Sequence, residues 1–237
     1  MKNSVPLYVL ALALVIAAYL IGVNYSYRYR HAGSISVTGL AELDFTSDLV
    51  VWQLHYSRKA MTIKEAYAML KEDEKTVRSY LQSNGIKDAE ITVEAVNTNE
   101  LYDYEENSRV FRGYELSQDI KIESKDLAKV DNLSKKITEL LDKDINISSY
   151  SPAYYYSKLG ELKHDLLKRA SEDGKTRAMH IAESSGEKLG KLKKANMGIF
   201  QFTGRNSNED FSWGGAFNTD SKEKTASITV RMEFEIN

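Results

Sequence analysis

Seventeen residues from Leu7 to Val23, LYVLALALVIAAYLIGV, carry no charge. As a helix rising about 1.5 Å per residue they sit at the short end of what a bilayer core of roughly 30 Å requires. Val5 and Pro6 extend the run, and residues 1–6 form a short tail. A cleavable signal would end in small residues at its cleavage site, but Ala11 and Ala13 fall inside the apolar run. The segment 24–33 then alternates tyrosines with polar residues, as expected where a chain leaves the bilayer through its aromatic interface. An uncleaved transmembrane anchor over 7–23 is the expectation. Lys2 precedes the run while Arg28 and Arg30 come after it, a bias that by itself disfavours export of the downstream domain. A long polar domain behind an N-terminal anchor is nevertheless usually exported, and export is expected here.

Beyond the anchor the apolar period switches between two and about 3.6. Ser34–Ala41 and Leu49–Tyr56 read as strands joined through Asp44–Asp48. From Ala60 to Leu81 the residues Ile63, Ala66, Leu70, Val77, Tyr80 and Leu81 mark the buried face of a helix that Asn84-Gly85 stops. Strands are predicted at Glu90–Val96 and Gly113–Ile122, with the polar stretch Asn97–Ser108 as their connecting loop. A second helix is predicted over Lys125–Leu141 and a strand-like piece over Ile145–Tyr156. A third helix, Leu159–Leu189, carries a stripe of Leu159, Leu162, Leu166, Ala170, Gly174, Ala178, Ile181 and Leu189. Strands at Ala195–Phe202 and Thr225–Ile236 flank a Gly- and Asn-rich loop, Gly204–Asp220. The unit of helix, strand, polar loop and returning strand recurs at 60–122 and 159–236 without a residue-level repeat. The prediction is an α+β protein with helices packed on one face of mainly antiparallel sheet.

Composition narrows the chemistry. The 32 basic and 34 acidic side chains give a net charge of -2, so nothing global draws the chain to nucleic acid, and no nucleic-acid partner is expected. Zero cysteine excludes disulfides, thiolate catalysis and Cys-ligated metals. Glu161–His164 and His180–Glu183 have the spacing of a metal pair. On one continuous helix, though, the two histidines are separated by about 160° around the axis and cannot share an ion. His55 reads as a packed or surface imidazole. No nucleophile motif and no phosphate-binding glycine loop is present. Gly186 and Gly190 read as a helix stop, with Lys188, Lys191, Lys193 and Lys194 near the end of the helix dipole. Glu105-Glu106 and Glu209-Asp210 read as solvated loop charge without an EF-hand pattern. Neither a cofactor, a metal nor catalytic residues are expected.

Tyrosine dominates the aromatic residues, with 15 against seven Phe and two Trp. Tyr150, Tyr154, Tyr155 and Tyr156 gather around Pro152, where they form either the two faces of one strand or a half-exposed interface. Trp213 and Phe217, in the glycine-rich loop, are either tucked locally or offered to a neighbour. Tyr154, Tyr155, Tyr156, Trp213 and Phe217 are the candidate interaction surface.

Four ordered pieces of the chain resemble the SIMPL-domain family: Ile35-Ser-Val-Thr-Gly-Leu-Ala, Asn84-Gly-Ile-Lys-Asp-Ala-Glu-Ile, Gly113-Tyr114, and Asp165–Leu192 with Ala170, Lys175, Ala178, Ala182, Gly186 and Leu189-Gly190. The resemblance covers about 34–237 and rests on the order and spacing of motifs that are individually weak. Asp44–Asp48 and Glu94–Asn97 stand where relatives usually carry proline. The resemblance implies an exported α+β domain and, for some members, assembly into large ring- or channel-like oligomers with a loose link to stress protection. It supplies no catalytic residue.

The sequence supports three readings. The leading one is a single-pass inner-membrane protein whose soluble domain is extracytoplasmic, in the periplasm, and serves as an oligomeric structural or interaction module of the cell envelope. Its partners would be further copies of the chain and an envelope protein. The second is a monomeric module that binds a small ligand or partner protein through the loops Asn97–Ser108 and Gly204–Asp220. The third, an enzyme, needs converging polar side chains that the sequence does not identify.

Overall fold

The computed structural model describes residues 5–30, 33–105 and 108–236. Helix α1 spans Val5–Arg30, and its described large apolar side chains, Leu12, Leu14, Val15 and Ile21 among them, face outward. Among the described residues no helix is long and apolar enough to cross a membrane. The span expected over 7–23 is therefore not met by them, and part of the tail 1–6 and of the linker 24–33 lies outside the described residues.

The rest of the chain forms two antiparallel sheets. The elements in chain order are β1 (Ser34–Thr46), β2 (Leu49–Ala60), α2 (Ile63–Ser83), β3 (Ile91–Val93), β4 (Asn97–Glu105) and β5 (Ser108–Ser124). After them come α3 (Leu127–Lys136), β6 (Ile147–Ser149), β7 (Ala153–Tyr155), α4 (Leu159–Ser184), β8 (Leu189–Met197), β9 (Gln201–Gly204) and β10 (Glu223–Ile236). In the four-stranded sheet β10 is central, with β1 on one side and both β8 and β9 on the other. The six-stranded sheet is built on β5 and β2, with β3 and β4 beside β5 and β6 and β7 beside β2. The mixed α+β class with antiparallel sheets agrees with the sequence.

Each sheet buries one face under helix. Val50, Trp52, Leu54 and Tyr56 on β2 and Leu116, Ile120 and Ile122 on β5 pack with Ala66, Leu70, Val77 and Leu81 of α2 and Val130 and Leu133 of α3. The second core joins Val37 and Ala41 of β1 and Ile228, Val230, Met232 and Phe234 of β10 to Leu162, Leu166, Ala170 and Ala178 of α4. Period-two strands against period-3.6 helices are the source of both cores. Thr62 caps α2 by accepting from the Glu65 amide at 3.2 Å, and Asp126 caps α3 through the Lys129 amide at 3.0 Å.

Several boundaries differ from the sequence reading. Asn97–Ser108 is not a loop; most of it is β4, paired with β5 through Asn97↔Ser117 to Glu105↔Ser108. Its polar side chains hid a strand whose ladder is supplied by its neighbour. The third helix stops at Ser184, because Gly186 adopts φ +77 and the Glu187 amide closes back on the Ala182 carbonyl. Gly190 accordingly belongs to β8 and not to the helix stop, as does Leu189, and Ala182 is buried in place of the half-exposed Ile181. The second helix tightens into a 3-10 turn over Ile137–Lys143 that ends at Asp144 with φ 60. Ile63 is exposed, not buried. Pro152, which has no amide to donate, lies between the separate strands β6 and β7. β1 runs on to Thr46, so only Ser47-Asp48 connects it to β2.

Candidate interaction site

The short Ser47-Asp48 connection carries the chain from one sheet to the other, and the two sheets are stitched together there. The Ser47 amide donates to the Lys222 carbonyl at 2.9 Å and the Asp48 amide to the Tyr155 carbonyl at 3.0 Å. The Tyr154 amide donates to the Thr219 carbonyl at 2.7 Å. Burial works to raise the Asp48 pKa, but hydrogen bonds from the Ser157 hydroxyl and amide hold it below the usual carboxylate value.

Tyr154 is buried at the centre of this joint. Its hydroxyl donates to Asp131 of α3, whose carboxylate also takes the Lys222 ammonium. Lys224, on the helix-side face of β10, is only 3% exposed and donates to the Tyr154 carbonyl. Desolvation holds its ammonium pKa below the ordinary lysine value, against the opposing pull of Asp220 and Glu209. Burial pushes the Tyr154 hydroxyl upward. Tyr155 and Tyr156 are half-buried. Tyr156 packs on Phe45, their ring centroids 5.0 Å apart, while Phe217 stands edge-on to Phe202 at 5.8 Å and lies 6.5 Å from Tyr155. Four of the five residues singled out by sequence thus gather at the joint between the sheets.

Trp213 lies apart from them and is 97% exposed. It belongs to a groove of about 480 Å³ on the face of the β1/β10 sheet opposite α4, with Leu40, Ile199 and Phe211 as apolar walls and Ser227 and Thr229 on the floor. The segment over this groove is held by Gln201, a buried amide. Its Oε1 accepts from the amides of Ser212 at 3.2 Å and Ala216 at 2.7 Å, and its Nε2 donates to the Ser212 carbonyl at 2.9 Å. Glu209 accepts from the Gly204 amide at 3.0 Å and from the Asn218 side chain, so this carboxylate closes the loop on itself. Gly215, at φ +94, supplies the backbone conformation that an L side chain would strain.

Sequence reasoning missed Gln201, Lys224 and Asp131. Lys224 had a signal: it falls on the inward phase of β10, in step with Ala226, Ile228 and Val230. His55 also gained a partner that only strand register reveals, Asp119 on β5, with Nδ1 2.8 Å from Oδ1. His164 and His180 are exposed on α4. Among the described residues no group of three or more His, Asp or Glu is placed to hold a metal. Glu106 lies outside the described residues.

One family model matches the chain, SIMPL, described as a protein of unknown function (DUF541), over residues 35–234. No curated protein matches it.

Proposed function

The chain belongs to the SIMPL family, and from that premise we propose that it is a membrane-anchored, extracytoplasmic module of the cell envelope that works by assembling with copies of itself, without catalysis. The observation that carries this reading is the apolar surface the four-stranded sheet leaves open on both faces: Leu192 and Met197, opposite Phe234 and Val230 on the helix side, are 51% and 57% exposed, and Ile199 and Trp213, at the groove on the other face, are 50% and 97% exposed. Large apolar side chains left exposed in pairs on each face of a sheet mark interaction surfaces. The uncharged run Leu7–Val23 within the 26-residue helix α1 supports the anchor. Stress protection, implied by the family resemblance, is the physiological setting of this reading. The test is the mass of the full chain in detergent by light scattering over a concentration series, together with alkaline extraction of membranes. A discrete assembly that resists extraction is expected; a strict monomer released by alkali overturns the reading.

The groove over the β1/β10 sheet supports a second reading, capture of a small apolar ligand beneath Phe211 and Trp213. Of the two segments expected to form such a site, only Gly204–Asp220 borders it, because Asn97–Glu105 is committed to the other sheet. A monomer that binds an environment-sensitive apolar dye, and loses it in Trp213→Ala, would favour this reading.

A further inference from the structure

The face of the four-stranded sheet turned away from α4 can be read row by row from its ladders. Thr229 lies opposite Leu40 on the floor row of the groove beneath Phe211 and Trp213. The next row is Thr38, Arg231 and Asn196, and the one after it Ser36, Glu233 and Lys194. Arg231 and Asn196 of the first row, with Ser36, Glu233 and Lys194 of the second, line another, mainly polar hollow of about 310 Å³. Thr229 and Arg231 are two residues apart on one face of β10, so the apolar groove and the polar hollow adjoin.

The hollow carries one cation in excess. Its basic side chains are Lys194 and Arg231 and its carboxylate is Glu233, which faces Lys194 across the strand pair. Among the described residues Arg231 forms no ion pair; it is exposed, and its Nε reaches the Ser36 hydroxyl at 3.5 Å, the outer limit of a hydrogen bond. Its fork is open to a carboxylate, which it can take with two parallel bonds. At the far end of the groove Glu42, on the same face of β1 as Leu40 and opposite Ser227, repels an anion. A negative head is therefore drawn toward Arg231.

The groove itself has no counter-charge to offer. Leu40, Ile199, Phe211 and Trp213 wall it, Ser227 and Thr229 are neutral, and the Gln201 Oε1 is taken by the Ser212 and Ala216 amides. A charge buried there without a partner is costly. From Ser36, beside the Arg231 guanidinium, to Leu40 is four residues of strand, roughly 13 Å at about 3.3 Å per residue. A ligand that touches both ends is thus extended, anionic at one end and apolar along the rest. The groove's volume of about 480 Å³ falls within the roughly 300–1,000 Å³ of small-molecule sites.

We propose that this face binds the anion of a long-chain fatty acid, its carboxylate held by Arg231 and Asn196 and its chain lying beneath Phe211 and Trp213. One carboxylate matches the one excess cation, and one chain fits the groove. The proposal rests on the reading of the groove as a ligand site and names the ligand's class and orientation. The experiment uses the full chain in phosphatidylcholine nanodiscs, because a detergent is itself an amphiphile. Acrylamide quenching of Trp213 is followed at about pH 8, where a carboxylate is fully ionised, as dodecanoate, dodecanol or butyrate is added. Trp52, fully buried in the other sheet, does not respond. Dodecanoate shields Trp213 at free concentrations at least about tenfold below dodecanol, as a charge-assisted hydrogen bond provides, and butyrate, the head without the chain, does not shield it. Arg231→Gln brings dodecanoate to the level of dodecanol and leaves dodecanol unchanged, a split that neither misfolding nor partition into the bilayer produces. Equal shielding by the two long chains in the parent protein, or a dodecanoate response indifferent to Arg231→Gln, overturns the fatty-acid assignment and leaves the apolar groove standing as a site; no shielding by either long chain overturns both.

Discussion

Gly39 of β1 and Gly174 of α4 meet backbone to backbone: a methyl group on Gly39 would stand 2.0 Å from the Ala170 carbonyl oxygen and 2.6 Å from the Gly174 amide nitrogen. Asp173 completes the contact by accepting from the Leu40 amide at 2.9 Å. That bond is the first cause holding the Asp173 carboxyl below its usual value, with Arg177 adding to it. The clash at Gly39 is with backbone, which cannot step aside, so Gly39→Ala should cost about 2–3 kcal/mol, near the upper end for overpacking. Gly160, at the start of the same helix, has nothing within 4 Å of an added methyl, and Gly160→Ala should stabilise by about 0.5–1 kcal/mol. Urea midpoints of the two variants should move in opposite directions.

Arg58 makes a two-pronged contact with Asp73, Nε at 2.5 Å and Nη2 at 2.9 Å, and the Asp73 side chain is only 8% exposed. Replacing Arg58 by Met leaves a carboxylate in the six-stranded sheet's core without its cation. A loss of about 3 kcal/mol is expected, read as a lower denaturation midpoint at neutral pH. The double variant Arg58→Met with Asp73→Leu should recover most of it.

Lys224 gives the joint between the sheets an alkaline signature. Its folded pKa lies below the ordinary lysine value, so between that pKa and about 10.4 the unfolded chain binds more protons than the folded one. Stability therefore gains from Lys224 as pH rises through that window. Tyr80, raised to about 12 by burial and by Glu139, and Tyr154, raised by burial, act oppositely once unfolded tyrosines ionise near pH 10. The comparison that isolates Lys224 is with Lys224→Met, whose stability should lack the rise seen in the parent chain. Denaturant titrations from neutral pH to just below the tyrosine range make the measurement; parallel curves for the two proteins would refute the assignment.

The two tryptophans sit at opposite extremes, Trp52 fully buried with Nε1 donating to Ser149 at 2.9 Å, and Trp213 almost fully exposed. Acrylamide should quench one population readily and the other hardly at all. In Trp213→Phe the accessible, red-shifted component should vanish while the folded signal of Trp52 persists. An apolar molecule seated in the groove would shield Trp213 from the quencher.

Much of this arrangement was legible in the sequence because periodicity reports burial. The inward series Ile228, Val230, Met232 and Phe234 and the helical stripe from Leu162 to Ala178 come from strand and helix periods alone. Asn97–Glu105 was not legible, because an edge strand needs no apolar face when its ladder is completed by β5. The tyrosines around Pro152 were located, but not their depth: whether Tyr154 is covered depends on α3 and the residue just before β10 bringing Asp131 and Lys222 to it. Trp213 was ambiguous for the reverse reason, since a glycine-rich loop sets no period, and side-chain bonds from Gln201 and Glu209 to its backbone fix where it lies.

The ladder between β1 and β10, running from Ser34↔Glu235 to Thr46↔Glu223, also sets a timetable for synthesis. Every strand of the six-stranded sheet has been made by Tyr155, so that half can close while the rest is still being translated. β1 is among the first segments made, yet it waits for β10, the strand that β8 and β9 need as well. Pairing over so long a separation is slow to form, and through that interval Val37 and Ala41 lack the cover they have in the finished fold. A chain cut short before Glu223 therefore keeps one sheet and forfeits the whole of the other, which makes the fourteen residues of β10 the step that closes the second sheet.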